Sequence, residues 1–131
     1  TPREVTNTAL EEFMRFDAPL HLFERTATAD TEIGGVAIKE GQKIAALIGS
    51  ANRDESVFSA PESMDLTRDP NPHIGFGAGI HFCLGAPLAR LEMSVSLPAL
   101  WERYPTMQLA SDPVRRPTFV LRGYESVAIS V

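Results

Sequence analysis

The chain has 131 residues, of which 44% are apolar and 22% are charged, so it is long enough for one domain with a buried core. A net charge of −5 argues against a general nucleic-acid binder, and no run of 18 apolar residues could span a membrane. The single cysteine excludes an internal disulfide and is compatible with a reducing cytoplasm, where we expect the protein to be located.

The first predicted element is a helix that starts at residue 1 and ends at about residue 16. Thr1, Pro2 and Glu4 form the pattern of a capping box at its start. The helix should end before Pro19, because the residue that precedes a proline avoids helical backbone.

The apolar face of this helix carries a charge. Val5, Ala9 and Phe13 share one arc of a helical wheel, and Glu12 falls on the same side. A buried carboxylate must be paired, and Arg15, three residues later, can reach it. The alternative is an exposed ion pair of little energetic value, and the helix alone does not decide between the two.

The middle of the chain predicts strands and then an irregular segment. Residues 20–50 are rich in β-formers and alternate in polarity, with turn signals at residues 34–35 and 40–41. Residues 51–75 show little periodicity and predict an ordered meander with one short helical turn.

The C-terminal part predicts one long helix and two strands. The helix should run from about Ala86 to Tyr104, with a kink at Pro98. The tail, residues 118–131, predicts two strands that turn at residues 123–124. On the helix, four apolar side chains share one face and are expected to face the core: Leu88, Leu91, Val95 and Ala99. These elements make a single α+β domain over residues 1–131.

The segment FGAGIHFCLG, residues 76–85, holds the only cysteine. Gly77, Gly79 and Gly85 lie close to Cys83, and glycine can adopt positive φ or admit the close approach of another group. The helix predicted directly after Cys83 offers free N–H groups and the positive end of its dipole, which favour a thiolate. Such a thiolate could be a nucleophile, a redox centre or a metal ligand.

Loop chemistry alone allows these uses to be weighed. A nucleophile needs a base, but His81 lies two residues away in an extended loop and does not face Cys83 well. A redox cycle lacks a second cysteine. Zinc could take His73, His81 and Cys83, but their spacing matches no common zinc site. A buried structural cysteine remains an alternative.

Haem iron needs only one axial thiolate, because the porphyrin supplies the other four ligands. A flat macrocycle that lies against the backbone would also explain the glycines. In that case Phe76 would screen the sulfur, and His81 and Arg25 would be partners for the haem propionates.

The cysteine segment is similar to the haem-binding signature of the cytochrome P450 family. Other stretches resemble the family in the same order along the chain. They are Glu12 to Arg15 followed by FDAP, FERTATADTEIGG at 23–35, ANRDESVF at 51–58 and APLARLEM at 86–93. The resemblance covers nearly the whole chain and is greatest to soluble bacterial members. It implies the C-terminal, proximal portion of the family's α+β fold: network helix, small β-sheets, meander, cysteine-ligand loop, long helix and C-terminal β-hairpin.

The resemblance also implies residue roles. Cys83 would be the proximal axial ligand of haem b, and His81 and Arg25 would bind the propionates. Four residues would complete the cofactor-binding loop: Phe76, Gly77, Gly79 and Gly85. A buried ion network would fix the meander beneath the haem, and its members would be Glu12, Arg15 and Arg53.

Two surface roles are further expectations. His21 lies in a stretch that in this family often approaches the substrate. Arg90 and Arg103 could present a surface to an electron donor, although solvated charge is the simpler interpretation.

The function that the resemblance implies is a haem-thiolate monooxygenase, which in its complete form activates O2 and hydroxylates a substrate with electrons from a ferredoxin or reductase. The family's distal oxygen-activating helix should precede residue 1. The alternative is a truncated, inactive homologue that binds haem weakly or not at all and forms a homodimer through an uncovered apolar face. Neither nucleic acid nor a membrane is expected as a partner.

Overall fold

The computed structural model describes residues 5–131, so the capping box predicted at residues 1–4 lies outside the described residues. Helix α1 spans Asn7–Phe16, and the Thr6 hydroxyl caps it by accepting a hydrogen bond from the Ala9 amide at 3.2 Å. The helix begins later than predicted because the backbone of Thr6 is extended. It ends where expected, ahead of Pro19.

Two antiparallel strand pairs follow. Strand β1 (Leu22–Thr26) pairs with β4 (Lys43–Leu47). Strand β2 (Thr31–Ile33) pairs with β3 (Val36–Ile38) in a hairpin. Its turn, residues 34–35, consists of two glycines with φ of +58° and +80°, which a two-residue hairpin of this kind requires. The β-rich region and this turn are confirmed.

The middle of the chain is mostly irregular. A short helix, α2, spans Ile48–Ala51, and residues 52–75 then form the predicted meander without a strand or a longer helix. A 3₁₀ turn spans Gly79–His81 in the cysteine segment. Helix α3 spans Ala86–Arg103 and contains Pro98, close to the predicted bounds.

The C-terminal strands form two small antiparallel pairs. Strand β5 (Gln108–Leu109) pairs with β8 (Ile129–Ser130), and β6 (Val114–Arg115) pairs with β7 (Tyr124–Ser126). The predicted turn at residues 123–124 is wrong, because Tyr124 is already part of β7. The Gly123 carbonyl accepts a hydrogen bond from the Arg116 amide, so this glycine continues the strand pair instead of reversing the chain.

The core lies where α1 meets the meander and the first turn of α3. Its apolar members are few, three of the seven are alanines, and four polar side chains are buried with them. The apolar set is Ala9, Leu10, Ala18, Ile48, Phe58, Phe76 and Ala86. The polar set is Glu12, Arg15, Asn52 and Arg68. Hydrogen bonds therefore hold much of this core together.

The predicted core face of α3 is exposed. Leu88, Leu91 and Val95 are 58%, 59% and 63% exposed, and Ala99 is also exposed. Helical periodicity identifies the apolar face of a helix, but no residue within 5–131 covers this one. Only the start of α3 is buried, at Ala86. Among the described helices, none combines the length and apolar character that crossing a bilayer requires.

Candidate functional site

The cysteine segment folds back on itself. The Cys83 amide donates to the Phe76 carbonyl at 2.9 Å, and the Phe82 amide donates to the Gly79 carbonyl at 3.0 Å. Gly77 and Gly79 have φ of +75° and +62°, which other residues adopt only with strain. These two glycines therefore allow the tight fold of the loop.

Gly85 and Gly75 serve the loop differently, because neither has a positive φ. A Cβ added at Gly85 would meet only the Cys83 Sγ, at 3.7 Å, so the missing side chain keeps the space beside the sulfur clear. A Cβ at Gly75 would lie 2.6 Å from the Met14 carbonyl oxygen of α1. Because glycine has no Cβ, the chain just before the cysteine segment can pack directly against the backbone of α1.

The Cys83 thiol is free and exposed, directly before α3. Gly85 caps that helix without a side-chain hydrogen bond, and Pro87 has no N–H, so the positive end of the helix is not neutralised by a cap. Ile80 and Leu84 are each 98% exposed on either side of the cysteine in the chain. An exposed thiol between exposed apolar side chains suits a flat, apolar cofactor whose metal ion takes one sulfur ligand from the protein. The buried structural cysteine is excluded.

Arg25 and His81 line the same concavity, which has a volume of about 180 Å³. Arg25 lies on β1, and its guanidinium donates to the neighbouring Glu24 carbonyl at 2.9 Å. Within residues 5–131, neither Arg25 nor His81 forms an ion pair. The donor set thus fits a haem: one thiol, and two basic side chains that could receive carboxylates. The concavity also includes Phe23, Ile74, Gly77 and Ala78.

The zinc alternative does not fit. In the described part of the chain, no three His, Cys, Asp or Glu side chains come together in a group that could hold a metal ion. His73 is hydrogen-bonded to Glu11 and to the Gly75 amide, so it does not share a site with Cys83.

Glu12 and Arg15 form a buried, bidentate ion pair. The Arg15 Nε and Nη2 atoms each donate to the Glu12 carboxylate at 2.8 Å, and both side chains are fully buried. Arg15 Nη1 also donates to the carbonyls of Asn52 and Pro61 at 2.9 Å. The helix charge is therefore part of the core and ties α1 to the meander.

The third member of this network is Arg68, not Arg53. Arg68 Nε donates to the Glu12 carboxylate at 3.1 Å, and its side chain is 8% exposed. Arg53 directly follows Asn52, the C-cap of α2, and its guanidinium turns outward to the Phe16 carbonyl and the Glu62 carboxylate. Arg53 was predicted because it lies in a recognisable sequence motif, whereas Arg68, the observed partner of Glu12, lies in the aperiodic meander.

The Glu12 carboxylate receives two further hydrogen bonds from the meander. The Asp65 amide donates to Oε1 at 2.8 Å, and Asn71 Nδ2 donates to Oε2 at 3.1 Å. Burial raises the pKa of the Glu12 carboxyl, but the hydrogen bonds from Arg15 and the Asp65 amide lower it more, so this pKa lies below its ordinary value of 4.5. Glu12 is thus held as a carboxylate inside the protein.

Three other predicted residues lie apart from the concavity. His21 packs on Gly49 and lies 3.7 Å from Asp17; burial and nearby Arg122 lower its pKa. Arg103 stacks against Tyr104 at the end of α3. Arg90 is engaged by the carboxylate of Glu11, as described below, so it does not offer a free charge to an electron donor.

Comparison with known proteins agrees with this geometry. The family model for cytochrome P450 matches residues 2–122. The biotin biosynthesis cytochrome P450 of Bacillus subtilis (strain 168) is 41% identical over 128 residues, which are 97% of this chain. The steroid C26-monooxygenase of Rhodococcus jostii (strain RHA1) is 44% identical over 128 residues, again 97% of this chain.

The structural similarity is equally extensive. The crystal structure of P450BioI in complex with an acyl carrier protein matches with a TM-score of 0.91 and 42% identity over 94% of this chain. The chain spans 32% of that structure, and 32% and 27% of the two sequence relatives. The residues that the family model matches, 2–122, include α1, the cysteine segment and α3. This chain belongs to the cytochrome P450 family.

Proposed function

We propose that this chain is the haem-ligand portion of a monooxygenase, in which Cys83 is the axial ligand of the iron of haem b. The observation that supports this most directly is the exposed thiol, which follows two glycines with positive φ and precedes an 18-residue helix. A single protein thiolate is enough, because the porphyrin supplies four further ligands to the iron.

The concavity beside the loop supports a site for the propionates. Arg25 and His81 line it from two separate elements, β1 and the cysteine segment. A guanidinium holds a carboxylate in a bidentate way and stays charged at any physiological pH. Gly77 and Gly79 give the loop its shape, Gly85 keeps the space beside the sulfur clear, and Phe76 shields the protein side of the loop.

When bound, the haem supplies the oxygen chemistry: one atom of O2 enters a substrate C–H bond, and the other leaves as water with two electrons from a donor and two protons. The residues of this chain hold and orient the group. Cys83 lies just before the positive end of α3, a position that suits a negatively charged iron ligand. The network of Glu12, Arg15 and Arg68 fixes the meander that packs against α1.

The substrate, the electron donor and the cellular location of the protein remain predictions. The names of the relatives refer to steroid oxidation and to biotin biosynthesis, so they do not point to one substrate for this chain. The substrate contact of His21, a ferredoxin or reductase as donor, a homodimer, a single domain over 1–131 and a cytoplasmic location stay expectations from the sequence.

The carbon monoxide spectrum of the reduced, haem-loaded protein tests the ligand. We expect a strongly red-shifted Soret band in the wild type, because thiolate ligation produces it, and loss of that band in Cys83→Ser. Met64→Ser removes an exposed sulfur far from the loop in sequence and should leave the band unchanged.

Two results would contradict the proposal. A red-shifted band that survives Cys83→Ser would falsify the ligand assignment. A wild-type protein that shows no Soret band after haem addition would support the alternative, a homologue that does not use the cofactor.

A further inference from the structure

A second carboxylate on α1, that of Glu11, joins three parts of the molecule. Arg90 of α3 donates to it twice, from Nε at 2.5 Å and from Nη2 at 2.8 Å. His73, at the end of the meander, lies 2.8 Å from it through Nε2, and its side chain is 3% exposed. Because His73 Nδ1 accepts a hydrogen bond from the Gly75 amide at 3.1 Å, Nε2 carries the proton and donates to Glu11.

Both partners of Glu11 contact the same aromatic ring. The bidentate pair fixes the plane of the Arg90 guanidinium, whose Cζ lies 4.6 Å from the centre of the Phe76 ring. The His73 ring lies 6.1 Å from the Phe76 ring, centre to centre. Phe76 is 8% exposed, so the ring is enclosed by these contacts.

Phe76 is in turn the backbone partner of the cysteine. Its carbonyl accepts the hydrogen bond from the Cys83 amide at 2.9 Å, and its ring lies 6.4 Å from that of Phe82. A continuous series of contacts therefore runs from the Glu11 carboxylate, through Arg90 and His73, to Phe76 and Cys83.

We propose that Glu11 is a positioning residue for the cysteine loop: through Arg90 and His73 it holds Phe76 in place, and Phe76 holds the Cys83 amide. This role is separate from that of Glu12, whose donors lie in α1 and the meander. The consequence for iron ligation rests on the proposed function, whereas the coupling between Glu11 and the Cys83 amide does not require haem.

Hydrogen exchange at the Cys83 amide tests the proposal in the haem-free form of the full-length protein that carries this sequence. Glu11→Gln keeps the size of the side chain but removes the charge that holds the guanidinium over the ring. We expect exchange at Cys83 to become about two- to fivefold faster, as loss of a cation–π contact of this kind implies. The matched control is Glu102→Gln, an exposed position near the other end of α3, which should change nothing.

The Asn52 amide separates a local effect from a general loss of stability. It donates to the Ile48 carbonyl at 3.0 Å in a part of the core that Glu11 does not contact. Exchange that rises equally at Asn52 and Cys83 would overturn the proposal, as would an unchanged rate at Cys83. If Glu11→Gln does not fold, Arg90→Lys keeps the charge but loses the planar fork, and it should give the same selective increase.

A double-mutant cycle tests the route through the ring. If Glu11 acts through Phe76, adding Glu11→Gln to Phe76→Leu should not raise the Cys83 exchange rate further. Additive effects would show that the route is wrong. With haem bound, we also expect Glu11→Gln to lower the fraction of protein with the red-shifted band. Should haem fail to bind at all, the proposed function fails while the exchange result still decides the role of Glu11.

Discussion

The core around α1 and the surface formed by the cysteine segment and α3 are built on opposite principles. In the first region, Glu12, Arg15 and Asn52 are almost completely buried, and every one of them bonds to another segment of the chain. In the second region, large apolar side chains such as Leu84, Leu88 and Leu91 are exposed. The first region pairs its buried charges within the described chain, whereas the second offers apolar surface that residues 5–131 do not cover.

This difference shows that polar groups stabilise the interior of the chain, whereas many large apolar groups lie on its surface. Buried charges lock the meander, which has no regular hydrogen-bond ladder of its own, onto a helix. Apolar side chains are then left for contact with other groups, which suits the cofactor-binding role proposed for the cysteine segment.

The largest effect is expected when one partner of the buried network is removed. Arg68→Ala leaves the Glu12 carboxylate buried with one donor fewer, and breaking such a pair costs about 3–5 kcal/mol. Arg53→Ala removes an exposed pair with Glu62 and a hydrogen bond to the Phe16 carbonyl, together worth about 1–2 kcal/mol, and it leaves no buried charge without a partner. Denaturant unfolding of both variants measures the difference, and equal losses would contradict the assignment of Arg68 to the network.

Acid should weaken the contacts that α1 makes through Glu11 and Glu12. The pKa of Glu11 is lowered by the Arg90 hydrogen bonds, and that of Glu12 is lowered as described above. A carboxyl whose folded pKa lies below its unfolded value stabilises the protein above that unfolded value, about 4.5. This contribution is lost as the pH falls through the folded pKa.

The free energy of unfolding, measured from pH 7 to pH 3, should therefore fall below about pH 4.5. Glu11→Gln removes one of the two groups and should make the acid branch of the curve shallower. An acid branch of unchanged slope in that variant would show that Glu11 does not contribute.

The smallest effect on stability is expected on the exposed face of α3. Leu91→Ser, at a side chain 59% exposed, should change the free energy of unfolding of this chain by no more than about 0.5 kcal/mol. It should also reduce the binding of a hydrophobic dye. Leu10→Ala, at a side chain 2% exposed, is the buried counterpart and should cost about 2–5 kcal/mol. Similar losses in the two variants would mean that the face of α3 is covered.

Local signals in the sequence predicted much of the fold. The glycine pair at residues 34–35 marked the hairpin turn, the apolar pattern marked α3, and the glycines near Cys83 marked the loop. The predicted start of α1 is wrong because the sequence offers more than one threonine that could cap the helix. In the structure, Thr6 is the cap of Asn7–Phe16.

Contacts between residues that are far apart in the chain could not be predicted from the sequence in the same way. Arg68 meets Glu12 across 56 residues of sequence, and the intervening meander has no period from which its direction could be derived. The Glu11–Arg90 pair spans 79 residues, and neither residue looks different from a solvated surface charge in the sequence. Periodicity also could not show whether the apolar face of α3 would be covered.

The close contact between position 75 and the Met14 carbonyl has a consequence for protein engineering. Even alanine at this position would push the chain away from α1, and its methyl group would also lie 3.2 Å from His73 Nδ1. Anyone who transplants the cysteine loop to another scaffold must therefore bring the helix backbone along with it. The portable unit is the loop together with the main chain on which it rests.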